Sequence, residues 1–337
     1  MPGIIIICNN RAEAGPLASV IAALPEATVL GLTEMQQRGP PAKVLGWSLW
    51  WFDREFEERQ PDLVIVVGDR YETLGAVQAA YFRRIPVAHI HGGETTAGAF
   101  DDSVRHAITH MASLHFCATL KAKDKLERLL VPYSGPYPTP PPFHITGAPG
   151  LDGIQPQSAR RDRDIILATF HPETMANDYG LNTCKAMLQA LDGFDNHKVI
   201  FCGVNNDPGS AEIRETIELF CKYDDDEIAT DLDHAAYIAL MQSAALVIGN
   251  SSAAILEAPW VGVPSVNIGN RQQGREMAPS VIQAAGTVEN IQQAVTTALS
   301  WNGPWNPCYR GEAAPRIAKI VREFVGGRQP VVTPAGS

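Results

Sequence analysis

The chain has 337 residues, 45% of them hydrophobic, and a formal net charge of −10. That length exceeds what one core ordinarily holds, so two domains are expected. The excess of acidic residues, 37 Asp and Glu against 27 Lys and Arg, argues against a nucleic-acid or anionic-membrane partner.

The run Ile4 to Cys8 has no basic lead and reads as a strand, not a signal peptide. No apolar run approaches the roughly 18 residues of a spanning helix. The six cysteines lack any C-x-x-C pairing, and several sit in apolar strand-like runs, as buried free thiols do. This usage predicts a reducing cytoplasm.

Strand-like runs alternate with amphipathic stretches, which predicts an α/β chain with parallel sheets. In the first half, strands are expected at Ile4–Cys8, Thr28–Leu32, Leu63–Val67, Val87–Ile90 and Leu114–Ala118. Helices are expected near Pro16–Leu24, Leu45–Arg59, Tyr71–Arg83 and Asp102–Met111. Pro132 to Pro142 carries six prolines and reads as a surface loop. A hinge is expected near Gly150 to Asp162. Second-half strands follow at Ile165–Phe170, Val199–Val204, Leu246–Ile248 and Ser265–Ile268. Helices there span Leu181–Leu191, Ala211–Cys221, Ala235–Gln242 and Ala253–Trp260, and a last helical stretch covers Ala314 to Val325.

Ligands in doubly wound sheets bind at strand carboxyl ends, so the polar residues that follow each apolar run are the candidates. In the first half these are Asn9 to Glu13 with Arg11, Gly68 to Glu72 with Asp69, and His91 to Glu94. In the second they are His171 to Glu173, Asn205 to Asp207, and the turn Gly249-Asn250-Ser251-Ser252. That turn opens a helix carrying Glu257, and small residues at a helix start leave N–H groups free for phosphate. Arg271 and Arg275 follow the next strand and could fork onto phosphate oxygens. These ends would line one cleft, with carboxylates on one wall and phosphate binders on the other. The division suits chemistry on the sugar of a nucleotide sugar.

Each candidate has a plainer reading. Arg11 could be a salt-bridge partner of Glu13, Ser251 a helix cap, and Asp69 the N-cap of the helix near Tyr71. Asp101 and Arg105 could form an ordinary pair four residues apart. His89-x-His91 has the look of a metal pair but lacks a third ligand at proper spacing, so no metal is expected.

The segments GDRYETLGA (Gly68 to Ala76), HIHGGETTAGAFDDSVRHAITHMASLHF (His89 to Phe116), TGAPGLD (Thr146 to Asp152), TFHPET (Thr169 to Thr174) and GNSSAAILEAPWVGVPSVNIGNRQQGR (Gly249 to Arg275) resemble the hydrolysing UDP-N-acetylglucosamine 2-epimerases of the sialic-acid-pathway branch. The resemblance spans most of the chain, in order. It implies the GT-B fold, with Rossmann-like domains at 1–152 and 153–312. A C-terminal helix at 313–325 would return to the first domain, followed by a tail at 326–337. It implies elimination of UDP to a glycal and hydration to a free N-acetylmannosamine-type sugar, without a metal or redox cofactor, in a homodimer or homotetramer. By motif position, Asp69, Glu94, Asp101 and Arg105 match the catalytic side, with His91 a further acid–base candidate. Arg11, His171, Asn250, Ser251, Ser252, Glu257, Arg271 and Arg275 match the nucleotide side.

The chain departs from the family pattern at Asn9-Asn10 in the first loop, in the short Gly31 to Lys43 segment, and at Ala253-Ala254. These changes make a shifted specificity plausible, such as a UDP-2,4-diacetamido-trideoxyhexose. A GT-B glycosyltransferase and a diverged nucleotide-sugar binder stay open on sequence alone.

Overall fold

A computed structural model describes residues 3–33, 36–97, 99–130, 142–156, 164–205, 207–221, 226–230 and 232–327, with the side chains of Arg11 and Ala12 outside that set. The expected proline loop up to Pro141 and residues 157–162 of the expected hinge fall outside the described residues.

The chain divides into two units. Unit one comprises Met1–Gly93, Arg105–Asp152 and Glu312–Ser337, and unit two comprises Glu94–Val104 and Gly153–Gly311. Unit one is built on β1 (Ile4–Ile7), four consecutive isoleucines that are all buried. A β-branched run apolar on both faces fits a parallel strand covered by helices on either side. The sheet order is β2-β1-β3-β4-β5-β6, every pair parallel. Its remaining strands are β2 (Thr28–Leu30), β3 (Leu63–Val67), β4 (Val87–Ile90), β5 (Leu114–Cys117) and β6 (Phe143–Ile145). The helices are α1 (Arg11–Ala23), α2 (Pro41–Arg59), α3 (Tyr71–Phe82), α4 (Asp101–Met111) and α5 (Leu120–Leu130).

Unit two repeats the plan in the order β12-β11-β10-β7-β8-β9, again all parallel. Its strands are β7 (Ile165–Thr169), β8 (Lys198–Cys202), β9 (Glu227–Ala229), β10 (Leu246–Gly249), β11 (Ser265–Ile268) and β12 (Val281–Ala284). The helices are α6 (Leu181–Leu191), α7 (Ser210–Cys221), α8 (His234–Ser243), α9 (Ala253–Trp260) and α10 (Val288–Leu299). One apolar cluster covers each face of this sheet. Ile166, Phe201, Ile248 and Val266 face α6 and α10, while Leu167 and Val247 face α8 and α9.

Two parts of the sequence reading are corrected. Helix α1 begins at Arg11, five residues before the expected start at Pro16. Asn10 accepts from the Glu13 N–H and the Glu13 carboxylate reaches back to the Asn9 N–H, a variant of the capping box that opens the helix ahead of its proline. The short edge strands β6, β9 and β12 were not anticipated, because three or four residues carry too little alternation to separate from loop; the helices α5 and α10 were missed although each has an apolar face at helical spacing.

A last helix, α11 (Ala313–Gly326), buries Ala314, Ile317, Ala318 and Val321 in the unit-one core beside Leu17 and Val20 of α1. Its first N–H groups are met by one distant side chain. Both Asp152 carboxylate oxygens accept from Ala313 and Ala314, each at 2.7 Å. An anionic acceptor at a helix start satisfies orphan donors and opposes the dipole. Asp152→Ala is therefore expected to lower stability by about 1–2 kcal/mol in denaturant unfolding. An unchanged midpoint would show that packing alone holds α11.

Candidate active site

The site candidates follow the carboxyl ends of strands at the switch points of both sheets. In unit one the order reverses between β1 and β3. Asn9 and Glu13 follow β1, and Asp69 follows β3.

Glu13 is buried and ties these loops together. It accepts from the Asn9 N–H at 2.6 Å and from the Thr73 hydroxyl at 2.5 Å. The Asn9 amide in turn donates to Thr73 and accepts from the Leu32 N–H, and Gln37 caps the Asn9 and Leu32 carbonyls. Arg11 heads this loop, but its side chain lies outside the description. Burial pushes Glu13 up to about 7, and nearby Glu72 adds to the rise, while the two hydrogen bonds and Arg70 pull the other way. The sequence offered for this carboxylate only a salt bridge to Arg11, as the plainer of two readings of that arginine.

Asp69 does not cap α3. The N-cap position is Arg70, with no side-chain cap bond. The Asp69 carboxylate instead receives the Arg105 guanidinium, whose side chain is among the most deeply buried in the chain. Arg105 thus holds the carboxylate of Asp69 at the β3 exit. Asp101, at the start of α4, is also buried.

His91 follows β4 with a left-handed backbone, φ +66°, and Gly93 has φ +81° where a Cβ would lie 2.2 Å from the Ala122 carbonyl. His89 is a core residue: its Nε2 donates to the Gly68 carbonyl at 2.7 Å and its Nδ1 faces the Thr109 hydroxyl at 3.3 Å. Among the described residues no group of three or more His, Cys, Asp or Glu side chains could hold a metal ion.

In unit two the switch lies between β7 and β10, where Thr169 pairs with Gly249. Gly249, at φ +136°, sits so close to the Thr169 carbonyl that a Cβ would be 1.8 Å from its oxygen. Asn250 is fully buried and locks the two strand ends, accepting from the His171 N–H at 2.7 Å and donating to the His171 carbonyl at 2.8 Å. Its own carbonyl accepts from Arg271 at 3.2 Å and from Gln272 at 3.0 Å. Asn250 thus frames the turn with its side chain. Ser251 accepts weakly from the Ala253 N–H at 3.4 Å, and Ser252 is the N-cap of α9 without a side-chain cap bond. Glu257 stands half-buried on α9, and His171 Nδ1 accepts from the Asn205 N–H at 3.3 Å. Burial raises the pKa of nearby Glu173, against the pull of Asn250 and Arg271.

Arg275 is placed where the sequence did not suggest. Its guanidinium lies 2.8 Å from the Glu94 carboxylate, both side chains being more than 90% buried. The segment 94–104 belongs to unit two with Arg275. Tyr309, buried in the Trp/Pro-rich stretch, lies beside Arg275.

Two doubly wound parallel sheets, the second with a framed anion-type turn, place the chain in the GT-B fold class. A UDP-N-acetylglucosamine 2-epimerase from Methanocaldococcus jannaschii, solved with UDP-GlcNAc and UDP, matches at a TM-score of 0.79 and 18% identity, over 96% of this chain and 100% of that one. The UDP-N-acetylglucosamine 2-epimerase family model matches residues 24–322. The chain belongs to the UDP-N-acetylglucosamine 2-epimerase family. It is 32% identical over 302 residues to a hydrolysing UDP-N,N'-diacetylbacillosamine 2-epimerase of Legionella pneumophila, covering 85% of this chain and 77% of the relative. It is also 32% identical over 250 residues to a hydrolysing GDP/UDP-N,N'-diacetylbacillosamine 2-epimerase of Campylobacter jejuni, covering 72% of this chain. That match spans 65% of the Campylobacter enzyme, just under two thirds of its length.

Because burial raises Glu13 above its ordinary value of 4.5, the native state holds that proton more tightly than the unfolded chain. Its contribution to stability is full below the ordinary value and is lost as pH rises through about 7. Melting curves from about pH 5 to about pH 8 should show wild type losing stability relative to Glu13→Gln. Parallel curves for the two proteins would contradict the buried-acid reading.

Proposed function

We propose that the protein is a hydrolysing nucleotide-sugar 2-epimerase that converts a UDP-2-acetamido sugar to UDP and the free 2-epimeric sugar. The observation that carries this reading is the pairing of arginine-held carboxylates, half-buried Asp69 with Arg105 and buried Glu94 with Arg275, in a chain that also carries the Asn250–Arg271 turn. A carboxylate removes the proton from C2 as the C1–O bond breaks and UDP leaves, giving a glycal. Water then adds its hydroxyl at C1, and a proton returns to C2 from the opposite face. Asp69, Glu94 and Asp101 are the proposed acid–base groups, and His91, which follows β4, is a further candidate. Arg271, the α9 start at Ser251 and Ser252, and His171 are the proposed diphosphate ligands, acting on charge that grows as UDP departs. Glu257 is proposed to accept from the ribose hydroxyls, and Arg11 to serve the nucleotide.

For the sugar, we propose UDP-N-acetylglucosamine or a 2,4-diacetamido relative. The names of the two bacterial relatives support the second, as do the altered Asn9-Asn10 loop and short 31–43 segment. The proposed chemistry is proton transfer and hydration, which needs no redox cofactor. No helix of the described residues is long and apolar enough to cross a membrane. We assign the reaction to the cytoplasm on the six free cysteines, and propose a homodimer or homotetramer.

Assaying UDP release over a panel of UDP-sugars, with UDP affinity measured on the same variants, tests this reading. Asp69→Asn and Glu94→Gln should lower kcat by about 10²–10⁴-fold while keeping UDP affinity. Arg271→Ala should weaken UDP by about 1.5–3 kcal/mol, the scale of a charge-assisted hydrogen bond. Near-normal turnover in Glu94→Gln would remove Glu94 from the chemistry and move the role to His91.

A further inference from the structure

We infer that Arg275 and Tyr309 are positioning residues for Glu94, and that the loop 270–275 joins the placement of that carboxylate to the diphosphate turn. The inference rests on the proposed acid–base role of Glu94 and goes beyond it. It takes Arg275 off the phosphate, gives Tyr309 a role, and assigns the two ends of one loop different tasks.

The first end of the loop is fixed to the turn, since Arg271 and Gln272 both donate to the Asn250 carbonyl, and Gln272 is almost fully buried. The second end is fixed to the segment that carries Glu94. The Gln273 carbonyl accepts from the Ala97 N–H at 3.1 Å. Gly274, at φ +92°, lies against Thr95, so closely that a Cβ would stand 2.6 Å from the threonine methyl and 3.0 Å from its Cβ. Arg275 then closes on Glu94 at 2.8 Å. The segment is further held where the Phe100 N–H donates to Thr174 at 3.3 Å and the Thr96 N–H donates to Asp102 at 2.8 Å. Five consecutive residues therefore run from the carbonyl that frames the turn to the carboxylate proposed to act on the sugar.

A buried ion pair is a poor source of stability, because desolvation offsets most of the Coulombic attraction unless further hydrogen bonds complete it. Its better-attested use is to fix a geometry. Tyr309, 2% exposed and beside the guanidinium, is the residue placed to complete it, as an acceptor for a further Arg275 N–H. Burial works against the Arg275 charge, and the Glu94 carboxylate is the first of the groups that restore it. Glu257 also acts on Arg275, and Glu276 and Cys308 act on Tyr309. The Tyr309 hydroxyl is held neutral, first by burial and then by Glu94. A guanidinium has donors and no acceptor, so toward Arg275 the Tyr309 oxygen accepts, and the arrangement Tyr309–Arg275–Glu94 has one neutral member, one cation and one anion.

The test uses the full-length protein, with kcat, UDP affinity and melting temperature measured on Tyr309→Phe, Arg275→Lys, Arg275→Gln and Glu94→Gln. Tyr309→Phe keeps the ring and should lower kcat about tenfold, the worth of one hydrogen bond to a charged group, with UDP affinity within about twofold. Arg275→Gln should lower kcat about 10²-fold, as a misplaced catalytic group does, and Arg275→Lys should recover part of that loss by keeping the charge. A purely structural role would lower melting temperature in step with the loss of turnover and show no recovery with lysine. Full kcat in Tyr309→Phe and Arg275→Lys, with Glu94→Gln inactive, would overturn this inference and leave the proposed function standing. Weakened UDP binding in Arg275→Gln at normal kcat would also overturn it, returning Arg275 to the phosphate. Normal turnover in Glu94→Gln would instead be the failure of the proposed role of Glu94.

Discussion

A charge taken out of water has to meet an opposite charge or several donors, and that constraint organises the carboxylates of this chain. Glu94 is matched by Arg275, Asp69 by Arg105, and Asp152 by two helix N–H groups. Glu13, with only an N–H and a hydroxyl, is the case where the match falls short, and its pKa rises accordingly. Each match also fixes a piece of backbone. Arg105 joins α4 to the β3 exit, Asp152 holds the start of α11, and Glu13 binds the loops after β1 and β3. Groups held in this way lose little freedom when a substrate arrives, the condition under which proton transfer and charge stabilisation are most effective.

The sheets supply the frame on which these pairs are hung. In each unit the strand order reverses once, between β1 and β3 and between β7 and β10. At those two places the exits diverge and side chains from both can be turned toward a ligand. Asn250 makes the second exit rigid by closing a two-way amide contact with the His171 backbone. An asparagine fits because it offers an acceptor and a donor on one short side chain. Its carbonyl then becomes the anchor for Arg271 and Gln272, so one buried residue positions both the turn and the basic loop.

Much of this was legible in the sequence, and what was not has physical reasons. The central strands were readable because continuous apolar runs such as Ile4–Ile7 and Leu63–Val67 have no other stable home than a covered parallel sheet. The edge strands β6, β9 and β12 were not, being too short for a period to show. The start of α1 was misplaced because Pro16 is a common first-turn residue, whereas the Asn10–Glu13 cap set the start earlier. Strand-end position drew attention to Asp69, Glu94, His171 and Asn250, but their partners came from elsewhere. Arg105 was read with Asp101 four residues away, and its pair with Asp69 was not foreseen. Arg275 was grouped with Arg271 because both follow one strand, yet the loop turns between them. Tyr309 carried no signal, since a lone tyrosine in a Trp/Pro-rich stretch reads as packing. Sequence spacing reports neighbours along an element, while the Asp69–Arg105 and Glu94–Arg275 pairs join residues 36 and 181 apart and follow only from the topology.

The central claim is that a proton is taken from C2 of the sugar as UDP leaves. Its most direct test is turnover of a UDP-2-acetamido sugar in deuterated water, with the released sugar read by NMR. Deuterium at C2, with the configuration there inverted, is the expected result. Release of UDP with protium retained at C2 would contradict the claim and indicate plain hydrolysis or transfer of the sugar.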